Sequence, residues 1–100
     1  MSKIAVYPGT FDPFTKGHGD IVSRALRIFD KLVIGVATGE GKEPLFSSGE
    51  RLGLIQEIYQ DEKRVEVLAF SGLLVDFAKN VQAVAAIRGL RAVSGFDYEF

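Results

Sequence analysis

The 100-residue chain contains no cysteine and a single histidine, His18. Disulfide frameworks, thiol nucleophiles, zinc fingers and iron–sulfur centres are thereby excluded, and so is a multi-histidine metal site. Any imidazole chemistry runs through His18. A charge excess is also missing: 12 basic against 13 acidic residues give a formal net charge of −1. Long-range attraction for nucleic acid or an anionic membrane is therefore not expected. The longest apolar stretch, Leu32 to Ala37, falls far short of the about 20 residues that cross a bilayer. Met1 to Tyr7 lacks the basic-then-apolar layout of a signal peptide. There is no internal repeat, low-complexity segment or linker. What remains is 47% hydrophobic and 25% charged, the balance of an ordinary globular domain spanning residues 1–100. The lack of cysteine fits the cytoplasm.

Ile4 to Tyr7 is a short apolar run stopped by Pro8-Gly9, a buried strand. From Gly17 to Phe29, apolar residues recur at Ile21, Val22, Ala25, Leu26, Ile28 and Phe29, which is helical spacing with Arg24 and Arg27 on the wet side. Leu32 to Ala37 reads as a second strand, and Thr38 to Phe46 as a loop. Ser47-Ser48-Gly49-Glu50 is a capping box with Ser47 as N-cap. It opens a helix with Leu52, Ile55, Ile58 and Tyr59 on one face. Val65, Val67 and Ala69 mark a third strand. Ser71 is placed to cap a short helix with Leu74, Phe77 and Ala78 inward. Ala83 to Ile87 is a fourth strand, and a last helix is expected after Arg91. Alternation at this spacing predicts an α/β fold, a doubly wound parallel sheet. In the order 3-2-1-4 the chain reverses between strands 1 and 4. Ligands bind there, beyond the carboxyl ends of those strands.

The segments at that point are Pro8 to His18 and Arg88 to Arg91. Neither the dinucleotide glycine fingerprint nor the P-loop pattern is present. Thr15-x-Gly17-His18 instead opens a helix, where free N–H groups and the dipole favour an anion. Thr10 adds a hydroxyl and a backbone N–H. Arg88 and Arg91 offer guanidinium forks for phosphate oxygens, and Lys42 a third cation. The set describes a polyphosphate site and not a hydrolase triad. No carboxylate stands as a general base. A phosphate nucleophile does not need one, because its second pKa is about 6, and its reaction depends on positioning and charge stabilisation. Asp12 and Asp20 have no metal-ligand spacing.

Y-P-G-T-F-D-P-F-T-K-G-H, I-R-G-L-R-A-V at 87–93 and D-Y-E at 97–99 resemble the bacterial phosphopantetheine adenylyltransferases, a Rossmann-like branch of the nucleotidylyltransferase superfamily. The resemblance runs from Lys3 to Phe100. It implies transfer of the adenylyl group of ATP to 4′-phosphopantetheine, giving dephospho-coenzyme A and pyrophosphate, in coenzyme A synthesis. It implies Mg2+ held mainly through the ATP phosphates, with no metal-ligating side chains. It also implies a hexamer, with coenzyme A as feedback ligand. Residue by residue, it puts Thr10 between the two substrates and the Thr10–Phe11 backbone against ATP. His18 becomes the catalytic group at the α-phosphate. Lys42, Arg88 and Leu74 fall to the phosphopantetheine side. Gly89, Leu90, Arg91 and Glu99 fall to the ATP side. The family continues past residue 100 with an Ile-Ser-Ser-[Ser/Thr] motif, so the chain is expected to be truncated before its last strand and second phosphate grip. Strand 4 would then be an open edge.

Each residue also has a plainer reading. A lone histidine at a helix start is often a cap. Lys42 can be a solvated charge, Arg88 and Arg91 a surface cluster, and Leu74 a core leucine. Glu99 can neutralise a helix, and Phe11, Phe14 and Phe96 can be packing residues. Two alternatives stand beside the main reading. One is another nucleotidylyltransferase, for instance one acting on nicotinate mononucleotide or glycerol phosphate. The other is a non-catalytic fragment.

Overall fold

Four apolar segments align side by side, because each has an apolar face to hide on both sides of a sheet. The computed structural model describes residues 3–11, 13–38, 48–88 and 93–95. Strands β1 (Ile4–Gly9), β2 (Lys31–Ala37), β3 (Val65–Phe70) and β4 (Ala85–Ile87) are parallel, and β5 (Val93–Gly95) is antiparallel to β4. The order is β3-β2-β1-β4-β5, so the predicted 3-2-1-4 arrangement is present. Helices α1 (Lys16–Ile28), α2 (Ser48–Ile58) and α3 (Leu74–Asn80) join the strands.

Period-two alternation divides the core between the two faces. Ala5 and Tyr7 of β1 point into the larger cluster with Leu32, Ile34 and Val36 of β2, Val22 and Ala25 of α1, and Ile55 of α2. Val6 points the other way, into a smaller cluster with Ala78 of α3 and Ala83, against which Ile4, Leu74 and Phe77 pack. Helices α1 and α2 therefore cover one face and α3 the other, as a doubly wound sheet requires. Gly35 is needed beneath α3: a Cβ there would lie 2.7 Å from the Phe77 ring and 3.2 Å from Phe70. Those two rings stack at 4.6 Å.

At the opposite edge of the sheet, Arg64 closes the carbonyl end of α1. It donates to the Leu26 and Phe29 carbonyls, at a helix end where carbonyls lack intrahelical partners, and to the Asp30 carbonyl just beyond it.

Several expectations are corrected. Residues 93–95 form β5, paired with β4, so the expected open edge is occupied; the end of the chain, where the last helix is expected, lies outside the described residues. Three residues ending in Ser94-Gly95 carry too little apolar pattern to announce a strand. The cap of α3 is Leu73, with no side-chain hydrogen bond, and not Ser71; Gly72, at φ +83°, separates the serine from the helix. Ile58 is 56% exposed, so the buried face of α2 is Ile55, flanked by Leu52 and Tyr59. Ile28 likewise points outward, because α1 ends there. The proposed cap Ser47 lies outside the described residues. Among the described residues no helix is long and apolar enough to cross a membrane.

Candidate active site at the strand ends

In a parallel βα sheet every helix starts at the carboxyl edge, so the topology alone gathers the connecting residues. Thr10 and Phe11 follow β1, His18 lies in the first turn of α1, Arg51 in the first turn of α2, and Arg88 follows β4. Leu74 opens α3 at the same edge but packs on the smaller core cluster, the face opposite α1. Lys42, Gly89, Leu90, Arg91 and Glu99, like Asp12 and Phe96, lie outside the described residues.

Helix α1 begins with a reciprocal cap. Thr15, in extended backbone, is the N-cap, and its hydroxyl accepts from the His18 N–H at 3.4 Å. The Thr15 backbone N–H donates to His18 Nδ1 at 2.8 Å. An amide can only donate, so Nδ1 is the acceptor and the neutral ring carries its hydrogen on Nε2. The histidine stands where glutamate stands in the usual capping box. The plain reading of His18 as a cap and the sharp reading as a phosphate donor are therefore compatible, one on each ring nitrogen. No acidic side chain occupies the first turn of α1, so nothing there competes with an anion for the helix terminus.

Aromatic rings surround the imidazole. Phe11 lies at 5.1 Å edge-on, Phe14 at 5.3 Å and Tyr7 at 6.3 Å between centroids. Burial among them lowers the His18 pKa below 6.5, because a desolvated ring resists a charge. Tyr7 is almost fully buried, and among the described residues its hydroxyl has no hydrogen-bond partner. Burial first, then the neighbouring Tyr59, raises its pKa.

Phe11 has φ +51°, a left-handed conformation that costs a non-glycine residue about 1–3 kcal/mol. Its ring lies on Gly9, where a Cβ would meet the ring at 3.0 Å. Phe11 is thus a packing residue whose backbone is held in an unusual orientation. Among the described residues only the Thr15 hydroxyl comes within 4 Å of a Cβ added at Gly17, at 3.6 Å, so none of them crowds that side of the first turn.

Arg51 escaped the sequence reading. It is buried, and its Nη1 donates to the Thr10 carbonyl at 2.6 Å and the Ala37 carbonyl at 3.2 Å. A cation in the first turn of a helix opposes the macrodipole, and that misplacement was the available signal. Among the described residues no three His, Asp or Glu side chains converge to hold a metal ion.

The family model for cytidylyltransferase-like proteins matches residues 6–100. Phosphopantetheine adenylyltransferases of Francisella philomiragia and of Francisella tularensis subsp. novicida are each 57% identical over all 100 residues. The chain spans 62% of the length of those relatives. Among solved structures, a bifunctional NMN adenylyltransferase/ADP ribose pyrophosphatase from Francisella tularensis superposes with a TM-score of 0.66 at 25% identity, over 81% of this chain and 28% of that one. A lipopolysaccharide core biosynthesis protein from Thermoplasma volcanium gives 0.67 at 23% identity, over 86% and 73%; that likeness concerns the fold.

Proposed function

The chain belongs to the cytidylyltransferase-like family, and on that footing we propose that it is the greater part of a phosphopantetheine adenylyltransferase. The reaction is transfer of the adenylyl group of ATP to 4′-phosphopantetheine. A phosphate oxygen of the acceptor attacks the α-phosphorus. The bond from that phosphorus to the bridging oxygen breaks, and pyrophosphate leaves with the electron pair. The acceptor phosphate is already ionised near neutral pH, so no general base is required.

One observation carries the reading: a neutral imidazole at a helix N-terminus, with Nδ1 occupied by the Thr15 amide and Nε2–H available as a donor. Negative charge builds on the α-phosphate oxygens in the transition state, and a pre-oriented donor stabilises it without reorganisation. The open first turn of α1 and the Thr10–Phe11 backbone add N–H groups on the ATP side. Arg88, at the end of the adjacent strand, supplies a fixed cation for the acceptor phosphate. Lys42 joins it in this reading, and Leu74 lines the pantetheine arm. Gly89 to Arg91 and Glu99 complete the ATP side. Magnesium, when bound, would be held through the triphosphate oxygens and would offset their charge. The reading carries with it a cytoplasmic enzyme that assembles as a hexamer and binds coenzyme A as a feedback ligand.

The test is pyrophosphate release by the full-length protein with ATP and either 4′-phosphopantetheine or nicotinate mononucleotide. Turnover with the first supports the proposal; turnover with the second alone replaces it. The same assay on the 100-residue chain decides whether this portion acts by itself.

A further inference from the structure

We infer that Arg51 is a positioning residue that sets the Thr10–Phe11 peptide for nucleotide binding and locks it to the end of β2. The inference deepens the nucleotidyl-transfer reading and rests on it for the identity of the ligand. Arg51 contacts no substrate in this account. It is 5% exposed and reaches two carbonyls from one nitrogen, Thr10 at 2.6 Å and Ala37 at 3.2 Å. In a trans peptide the C=O and the following N–H point in opposite directions. Fixing the Thr10 carbonyl on a buried guanidinium therefore turns the Phe11 N–H away from Arg51. The left-handed φ of Phe11 shows that this peptide orientation is imposed by its surroundings and not chosen by the chain. The ring contacts of Phe11 with Gly9, Tyr7 and His18 hold the side-chain half of that residue. Arg51 holds the peptide half.

The second carbonyl gives the arrangement its reach. Ala37 is the last residue of β2, so the same guanidinium ties the loop after β1 to the start of the loop after β2. Under the proposed function these loops serve ATP and the acceptor respectively. A planar guanidinium is suited to hold two carbonyls at fixed angles, and an ammonium at the end of a flexible stem is not. Lysine should therefore restore the charge without restoring the alignment.

The experiment compares full-length wild type, Arg51→Met and Arg51→Lys by amide NMR and by calorimetric titration with ATP. Wild type must bind ATP; if it does not, the nucleotidyl-transfer reading fails, and the amide spectra still report on Arg51. We expect both variants to keep the amide signals of core residues Val22 and Ile55. We expect both to shift those of Thr10, Phe11 and Thr38 and to bind ATP at least tenfold more weakly. ATP affinity within twofold of wild type, or unmoved Thr10 and Phe11 amides, overturns the inference. So does loss of the folded spectrum in both variants, which makes Arg51 a residue of the fold and not of the site.

Discussion

The Thr15 backbone N–H donates to Nδ1 of His18 at 2.8 Å, so a helix cap fixes the tautomer of the only imidazole in the chain. Position and proton are set by the same contact. The ring is aimed by the first turn of α1 and flanked by Phe11 and Phe14, and it needs no carboxylate partner to hold its hydrogen on Nε2.

Removing the ring separates its two roles. His18→Ala should lower turnover by about 10²–10³-fold or more, the cost of one pre-oriented donor, while ATP affinity changes only a few-fold. It should also destabilise the fold by about 0.5–2 kcal/mol through loss of the cap. Steady-state kinetics and denaturant melts on the same preparations check both parts. Normal turnover would remove His18 from the chemistry.

Acid should act on His18 first. Its folded pKa lies below the ordinary 6.5 because burial disfavours the charge. The unfolded chain therefore binds the proton at higher pH than the folded one. Stability from the neutral ring is complete above 6.5 and is lost as pH falls from 6.5 through the folded pKa. Protonation also turns Nδ1 into a donor facing the Thr15 amide, which breaks the cap. Imidazole proton NMR should give a midpoint below 6.5, with activity falling over the same range. A midpoint above 6.5 contradicts the burial account.

Much of this was legible in the sequence. The apolar runs at Ile4, Leu32 and Val65 announced three strands, and the alternation with helices announced their order. The helix start after β1 was legible because Thr15, Gly17 and His18 share it, and the phosphate site placed there is the proposal that it supports. What stayed hidden depends on tertiary contact. Arg51 gave no local sign of its role because its partners, Thr10 and Ala37, are 41 and 14 residues away. A capping role for His18 was legible, but the reciprocal bond to Nδ1 that fixes its tautomer was not, because the familiar box ends in glutamate or glutamine. Strand β5 was hidden because its pairing with β4, and not its own composition, defines it.

Tyr7 tests the packing around the site. Its hydroxyl is buried without a partner among the described residues, a condition that costs about 1–3 kcal/mol. Tyr7→Phe should leave stability unchanged or raise it by about 1 kcal/mol, read as the denaturation midpoint. A loss larger than about 1 kcal/mol would mean that the hydroxyl is bonded in solution.

Arg88→Ala should weaken the acceptor and spare the nucleotide. Loss of one charge-assisted phosphate contact is worth about 1.5–3 kcal/mol, or roughly 10- to 150-fold in the KM for 4′-phosphopantetheine. The KM for ATP should move less than threefold. Equal changes in both constants would place Arg88 in the fold or at the nucleotide.

The central claim is that a neutral His18 presents Nε2–H to the α-phosphate. Nitrogen-15 NMR of the labelled imidazole, before and after adding a non-hydrolysable ATP analogue, tests it most directly. The account predicts a protonated Nε2 and a bare Nδ1 at pH 7.5, with Nε2 shifting when the nucleotide binds. A ring protonated on Nδ1, or an Nε2 signal that ignores bound nucleotide, would contradict it.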